Sequence, residues 1–264
     1  MKYEIYACAD EAMEGGVMDE EIYSAETIDG FATQNVVHGP FYVDLPIGDL
    51  VALQSRKFYP QGATWREAAK GLDCEGWGEQ RKAIIKYFES DLEDNKFPAP
   101  GALGYLKINF VGGAAYCNIG NHRVVAMKAW LARFHGEHSA FKRVSCQYQD
   151  IYPPLKKLMV TCQNNGCTME YAFVPNDRDD IRYSTGAHYL ILVKRSWWRK
   201  EIYALDSYRD VFHRIYPSGN LILRLLRQDN RSKCLRFHFE KLSPSLVERV
   251  LNNAKAKALM PSIP

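Results

Sequence analysis

The chain begins without a clear apolar rhythm: residues 1–35 are acidic and weakly patterned, and read as an extension or edge element. Alternation starts at residues 41–45 (FYVDL), where apolar and polar positions swap faces with the period of a strand. The following Pro-Ile-Gly-Asp-Leu reads as a turn feeding a short helical piece. Residues 65–72 predict a short helix. Residues 77–94 predict a longer one, because Trp77, Ile84, Ile85, Phe88 and Leu92 recur at helical spacing among charges. Phe97-Pro-Ala-Pro-Gly breaks the chain. Residues 106–110 and 115–119 then predict a β-hairpin turning at Gly112-Gly113, with a helix over 124–134 and another strand over 144–148. Pro153-Pro154 closes this part of the pattern.

The last third changes character. Residues 169–174, 189–194, 201–205, 221–226 and 235–239 all read as strands separated by turn residues. Ser243 is the expected N-cap of a terminal helix with Pro244 at its first position. The polar stretch Pro175-Asn-Asp-Arg-Asp-Asp marks a boundary. The expected organisation is therefore α+β: an acidic extension over 1–36, a mixed α/β domain over 37–174, and a basic, strand-rich region over 175–264 that ends in a helix.

Composition narrows the class. In 264 residues, 47% are aliphatic, aromatic or cysteine and 25% are charged, which fits a globular chain with a real core rather than a disordered tail. No secretory leader is visible at the start, and no apolar run is long enough to cross a bilayer, so a cytoplasmic protein with no membrane partner is expected. The seven cysteines are odd in number and scattered, as reduced thiols are. Cys162-x4-Cys167, with Cys146, His135 and His138, can be drawn as a zinc site, but the spacing matches no standard knuckle and no structural zinc is expected.

Net charge is only +3, but it is unevenly spread. Residues 1–100 carry 9 Lys+Arg against 19 Asp+Glu, whereas residues 181–264 carry 16 against 6. A basic, aromatic-rich end suits phosphate backbones, and Arg195, Arg199 and Lys200, flanking Trp197-Trp198, are its candidate DNA- or RNA-binding residues. The plainer alternative is two solvated faces, with the tryptophans in core and rim.

The motif that carries chemistry is Gly120-Asn121-His122-Arg123, placed where the hairpin hands over to a helix. A glycine there lets the backbone turn and approach a ligand, while the N–H groups of the first helical turn point outward at the positive end of the helix dipole. Such a corner attracts anions. His122 and Arg123 add donors for phosphate oxygens, and Asn121 can cap the helix or hold a ligand. Read alone, the same four residues also describe a capped helix with ordinary surface contacts.

Over residues 37–152 the order of elements, through FYVDLPIGDL, WGEQRKAIIKYF and KINFVGGAAYCNIGNHRVVAMKAWL, resembles the ParB/sulfiredoxin superfamily. There a G-x-H-R or G-x-x-R motif opens the helix that cradles a nucleotide triphosphate. The resemblance implies that Gly120, Asn121, His122 and Arg123 bind the phosphates of ATP or another NTP, with Mg2+. Two departures discriminate within it. Sulfiredoxins carry G-C-H-R, and Asn121 stands here in place of the nucleophilic cysteine, which argues against sulfinic acid reduction. Partition-type ParB proteins carry G-E-R-R followed by a helix-turn-helix, whereas the segment after residue 152 reads here as strands.

Two functions stay open from the sequence. The first is an NTPase or phosphotransferase, with His122, Arg123, Glu79 and Asp44 as catalytic candidates, Asp49 as a further carboxylate, and Arg56 as an additional nucleotide contact. The second is a ParB-like nucleic-acid-binding protein or nuclease of a mobile element, using the basic last third.

Overall fold

The computed structural model describes residues 1–54, 59–60, 62–102, 104–174, 188–197, 199–207, 209–216 and 229–260. It is a mixed α+β structure of two compact units. Unit 1 comprises Met1–Asp29, Val37–Gln149 and the stretch from Asn253 onward; unit 2 comprises Gly30–Val36 and Asp150–Asn252. This partition differs from the three-part layout of the sequence pattern: the acidic N-terminal stretch is built into unit 1, and unit 2 starts well before residue 175.

Unit 1 contains α1 (Lys2–Glu11), β1 (Tyr23–Ser24), α2 (Ala25–Asp29), β2 (Ala32–Pro46, which begins among unit 2 residues), a 3-10 turn at Ile47–Asp49, β3 (Leu50–Leu53), α3 (Trp65–Lys70), α4 (Arg81–Glu89), β4 (Lys107–Val111), β5 (Ala114–Ile119), α5 (Asn121–His135) and β6 (Ala140–Ile151). The sheet order is β1-β3-β5-β4-β6-β2. The hairpin pair β4–β5 is antiparallel, while β3 runs parallel to β5 and β6 parallel to β4. Both faces of β3 are buried, and α5 is buried almost all round from Arg123 to Ala132, as an apolar helix at the centre of a unit should be. Helices α1, α3 and α4 pack around α5.

Helix α1 docks through Ile5, Cys8 and Ala9, which lie in the core. Its carbonyl end is held by Arg66, whose guanidinium donates to the carbonyls of Ala9, Asp10, Ala12 and Met13 and pairs with Asp19 at 2.5 Å. That satisfies carbonyls that the helix itself leaves open. Helix α3 opens on a capping box: the Thr64 hydroxyl accepts from Glu67 N, and the Glu67 carboxylate accepts from Thr64 N at 2.8 Å. Thr64→Ala is expected to destabilise the protein by about 1 kcal/mol, measurable as a shifted urea midpoint with unchanged slope.

Unit 2 holds α6 (Pro153–Asn164), β7 (Thr168–Phe173), β8 (Tyr189–Lys194), β9 (Lys200–Asp206), β10 (Val211–Ile215), α7 (Asn230–Cys234), β11 (Glu240–Lys241) and α8 (Pro244–Leu251). Its sheet is antiparallel in the order β10-β9-β8-β7-β11. The cap expected for the terminal helix is present, with Ser243 Oγ accepting from Leu246 N at 3.1 Å. The chain then returns to unit 1 as α9 (Asn253–Leu259), where Ala256 joins the core.

Four expectations change. The turn at residues 46–50 feeds no helical piece: a 3-10 turn at Ile47–Asp49 leads straight into strand β3. The helix expected over 77–94 is confined to Arg81–Glu89, with turns over 74–80. Residues 235–239 form no strand: the N–H groups of Arg236 and Phe237 bond back three residues to Lys233 and Cys234, and Phe237 and Phe239 pack on the core from a turn. Pro153-Pro154 opens α6 rather than ending a unit, because proline suits a first helical turn. The strand expected over 221–226 lies outside the described residues.

Candidate functional site

Strand β5 ends at Ile119, and Gly120 turns the chain into α5 with φ 102° and ψ 33°, a left-handed conformation that side chains rarely adopt. The Gly120 carbonyl accepts the first helical bond from Val124 N at 3.0 Å. Gly120, at the N-cap, has no side chain to cap this helix. Asn121, instead of capping, accepts from Gln54 N through Oδ1 at 3.0 Å, which ties the helix start to the end of the neighbouring β3.

This corner borders a cleft of about 430 Å³, a volume in the range of small-molecule sites. Asn118, Ile119 and the four residues Gly120 to Arg123 form one side. The turn bearing Asp73 and Trp77, and the loop from Phe97 to Ala102, form the other. Phe97 anchors an aromatic wall: Trp77 meets it edge-on at 4.9 Å between ring centroids and Tyr87 at 5.2 Å, while Phe88 stacks at 6.2 Å.

Arg123 has an inward posture. It is only 4% exposed, donates through Nη1 to the Gly104 carbonyl at 3.2 Å, and places its guanidinium 5.6 Å from the Phe97 ring centre. Its side chain folds back under the corner, so closely that a Cβ added to Gly120 would sit 2.5 Å from Arg123 Nε. The charge thus lies in the floor of the cleft rather than at its mouth.

His122 is exposed at the mouth. The protein atoms crowded against its ring lower its pKa below the ordinary histidine value, and the Asp73 carboxylate opposes that shift. A depressed histidine pKa means that the unfolded chain takes up the proton first, so this group's contribution to stability is present above about pH 6.5 and is lost as pH falls below it. Removing the opposing charge should deepen the shift: in Asp73→Asn the His122 midpoint, followed by NMR titration, is expected to move to lower pH. An unchanged or raised midpoint would separate the two groups.

Cys117, on β5 beneath the corner, is fully buried and donates its thiol to the Ile119 carbonyl at 3.4 Å; burial raises its pKa strongly, which keeps it a thiol rather than a nucleophilic thiolate.

The other residues singled out from the sequence lie elsewhere. Asp44 is exposed on β2, at the opposite edge of the sheet from β3 and β1, and accepts from Arg143 N at 2.8 Å. Asp49 pairs with Lys255 at 2.7 Å. Glu79 is exposed in the turn before α4 and does not line the cleft. Arg56 lies outside the described residues. Conversely, Asp73, Trp77, Phe97 and Asn118 line the cleft and carried no functional signal in the sequence beyond turn-rich surroundings.

In unit 2, Arg195 and Arg199 both approach the buried carboxylate of Glu201, while Lys200 opens β9 and its carbonyl accepts from Arg231 at 3.0 Å. His135 pairs with Glu89 at 3.3 Å within unit 1, whereas Cys162 and Cys167 belong to unit 2. Among the described residues no group of three or more His, Cys, Asp or Glu side chains is arranged to hold a metal ion, and no helix is long and apolar enough to cross a membrane. A scan against protein-family models finds no match to the chain, and searches of curated proteins and of solved structures find none either.

Proposed function

We propose that unit 1 is a nucleotide-dependent enzyme of ParB/sulfiredoxin type, which binds a nucleoside triphosphate in the cleft at the start of α5 and hydrolyses or transfers its terminal phosphate. The observation that carries this reading is the meeting, in one cleft, of the Gly120 corner, the His122 imidazole, the buried Arg123 charge and an aromatic wall. The hairpin β4–β5 leading into Gly120 supports the family reading, because it supplies the strand-to-helix corner that such sites use.

Each part has a task. The first turn of α5 directs its positive end at phosphate oxygens, and Gly120, in a left-handed conformation, makes the corner that presents that turn to the cleft. Arg123 raises the potential of the floor without spending its fork on the ligand, and it fixes the corner's shape through Gly104 and Phe97. His122 is held mainly neutral near pH 7 by its surroundings, so it can take a proton from an attacking hydroxyl or water. Trp77 and Phe97 offer apolar surface to a base or ribose.

Mg2+ is the expected companion ion, and Asp73 fits it, since Mg2+ in phosphate sites takes one or two carboxylates and fills its remaining positions with phosphate oxygens and water. When bound, such an ion spreads the charge of the transferred phosphate. A titration of the protein with ATP, CTP, GTP and ADP in the presence of Mg2+, read by isothermal titration calorimetry and by phosphate release, tests the proposal. Saturable binding of at least one triphosphate with turnover is expected. Absence of binding by every nucleotide up to millimolar concentration would overturn it.

A further inference from the structure

Three arginines of unit 2 crowd one carboxylate. Glu201, in β9, is 2% exposed, and its Oε1 lies 3.0 Å from Arg195 Nε, 3.3 Å from Arg214 Nη1 and 3.8 Å from Arg199 Nε. Its other oxygen accepts from the Tyr203 hydroxyl at 3.0 Å. One negative charge cannot neutralise three guanidinium groups, so the cluster keeps a net charge of about +2 while the carboxylate holds the cations closer together than they would otherwise lie. The Arg195 contact is Coulombic: its Nε is near Oε1 but is not aligned for a hydrogen bond. Arg199 is 58% exposed and Arg214 37%, which leaves guanidinium N–H groups at the surface for an outside anion.

Aromatic rings accompany these charges. Strand pairing sets Tyr203 opposite Arg214 and Leu205 opposite Phe212, and alternation puts Glu201, Tyr203, Phe212 and Arg214 on the same face. The Tyr203 and Phe212 rings lie 5.6 Å apart and 15° from parallel, and the Arg214 guanidinium sits 5.1 Å from the ring centre of Tyr216. In the loop joining β8 to β9, between Arg195 and Arg199, the Trp197 side chain is 89% exposed. An indole held in water beside unneutralised guanidinium groups matches a ligand that offers both anionic groups and flat π faces.

We propose that this face of unit 2 binds single-stranded nucleic acid, with phosphates on Arg199 and Arg214 and a base stacked on Trp197, while Arg195, whose Nη1 is turned to Cys167 Sγ, adds charge from within. A single strand is chosen over a duplex because paired bases hide the faces that an indole stacks on, whereas unpaired bases expose them. The site is separate from the cleft of unit 1 and does not depend on the function proposed there.

The test measures binding of fluorescently labelled single-stranded DNA and RNA oligonucleotides across a salt series, for the wild type, Arg199→Ala, Arg214→Ala and Trp197→Ala. Wild-type affinity is expected to fall with salt, the logarithm of affinity dropping by about 0.7 for each phosphate neutralised per unit of log salt. Arg199→Ala and Arg214→Ala should each flatten that slope by about one such step. Trp197→Ala should weaken binding by about tenfold at every salt concentration with the slope unchanged, and the quenching of tryptophan fluorescence should diminish. Trp197 and Arg199 project into solvent, so their variants fold and the test stands even if Arg214→Ala does not. No binding by wild type at low salt would overturn the proposal. Equal affinity for duplex DNA or heparin, with no effect of Trp197→Ala, would also overturn it, reducing the face to a general attraction for polyanions.

Discussion

Arg123→Ala is expected to destabilise the protein by about 2–4 kcal/mol, with a fall in melting temperature of roughly 5–15 °C, before any question of ligand arises. The guanidinium is buried, so truncation leaves a cavity under the corner, removes a donor from the Gly104 carbonyl, and strips the cation from the Phe97 ring. Phe97 also organises Trp77, Tyr87 and Phe88, so the aromatic wall should loosen along with it. Arg123→Lys should recover only part of the loss, because an ammonium group cannot lie flat on the ring and reach the carbonyl as a planar fork does. Thermal melts of the three proteins, without nucleotide, check this. Unchanged melting in Arg123→Ala would mean that the arginine turns outward and acts on ligands directly, as the isolated tetrapeptide suggests.

That inward turn marks where the sequence stopped being legible. The hairpin, its Gly112-Gly113 turn and the helix after Gly120 are local features: alternation, a turn signal and an apolar run lie within thirty residues, and each reports on itself. The strands β7, β8 and β9 are legible for the same reason. Helix α1 is not, because its buried face is only Ile5, Cys8 and Ala9 in an otherwise polar stretch, and what fixes it is Arg66, more than fifty positions away. The alternating Leu-Arg-Phe-His-Phe over 235–239 carries the period of a strand, yet its backbone turns back on α7 while Phe237 and Phe239 still reach the core. Apolar alternation marks which side chains are buried; it does not say which backbone pairs with which.

The cleft shows the same limit. Its helix corner was visible, but its opposite side comes from Asp73, Trp77 and Phe97, which only the packing of α3, α4 and the following loop brings near residue 120. Asp44 attracted attention because it sits in a clean strand, and sheet order then carries that strand to the far edge. Charge was read correctly as an excess but not as an arrangement. Only the pairing of β9 with β10 brings Arg214 to Arg195 and Arg199 around one glutamate.

Gly120→Ala should be nearly as damaging as the loss of Arg123, and for a linked reason. At φ 102° a Cβ is strained, which costs about 1–3 kcal/mol by itself. The new methyl group would also lie 2.5 Å from Arg123 Nε and 2.9 Å from Leu106 Cδ1, distances that real contacts do not reach. Something must shift, and Arg123 cannot shift without leaving Gly104 and Phe97. If the two residues form one device, their effects cannot add. With Arg123 already truncated to alanine, the methyl group at 120 meets open space where the guanidinium stem had been, so Gly120→Ala should then cost little beyond backbone strain and its contact with Leu106. A double-mutant cycle by chemical denaturation is expected to show the paired variant more stable than the sum of the singles predicts by at least about 1 kcal/mol. Strict additivity would mean that the glycine serves the backbone turn alone, and that the arginine beneath it is not what shapes the corner at the floor of the cleft.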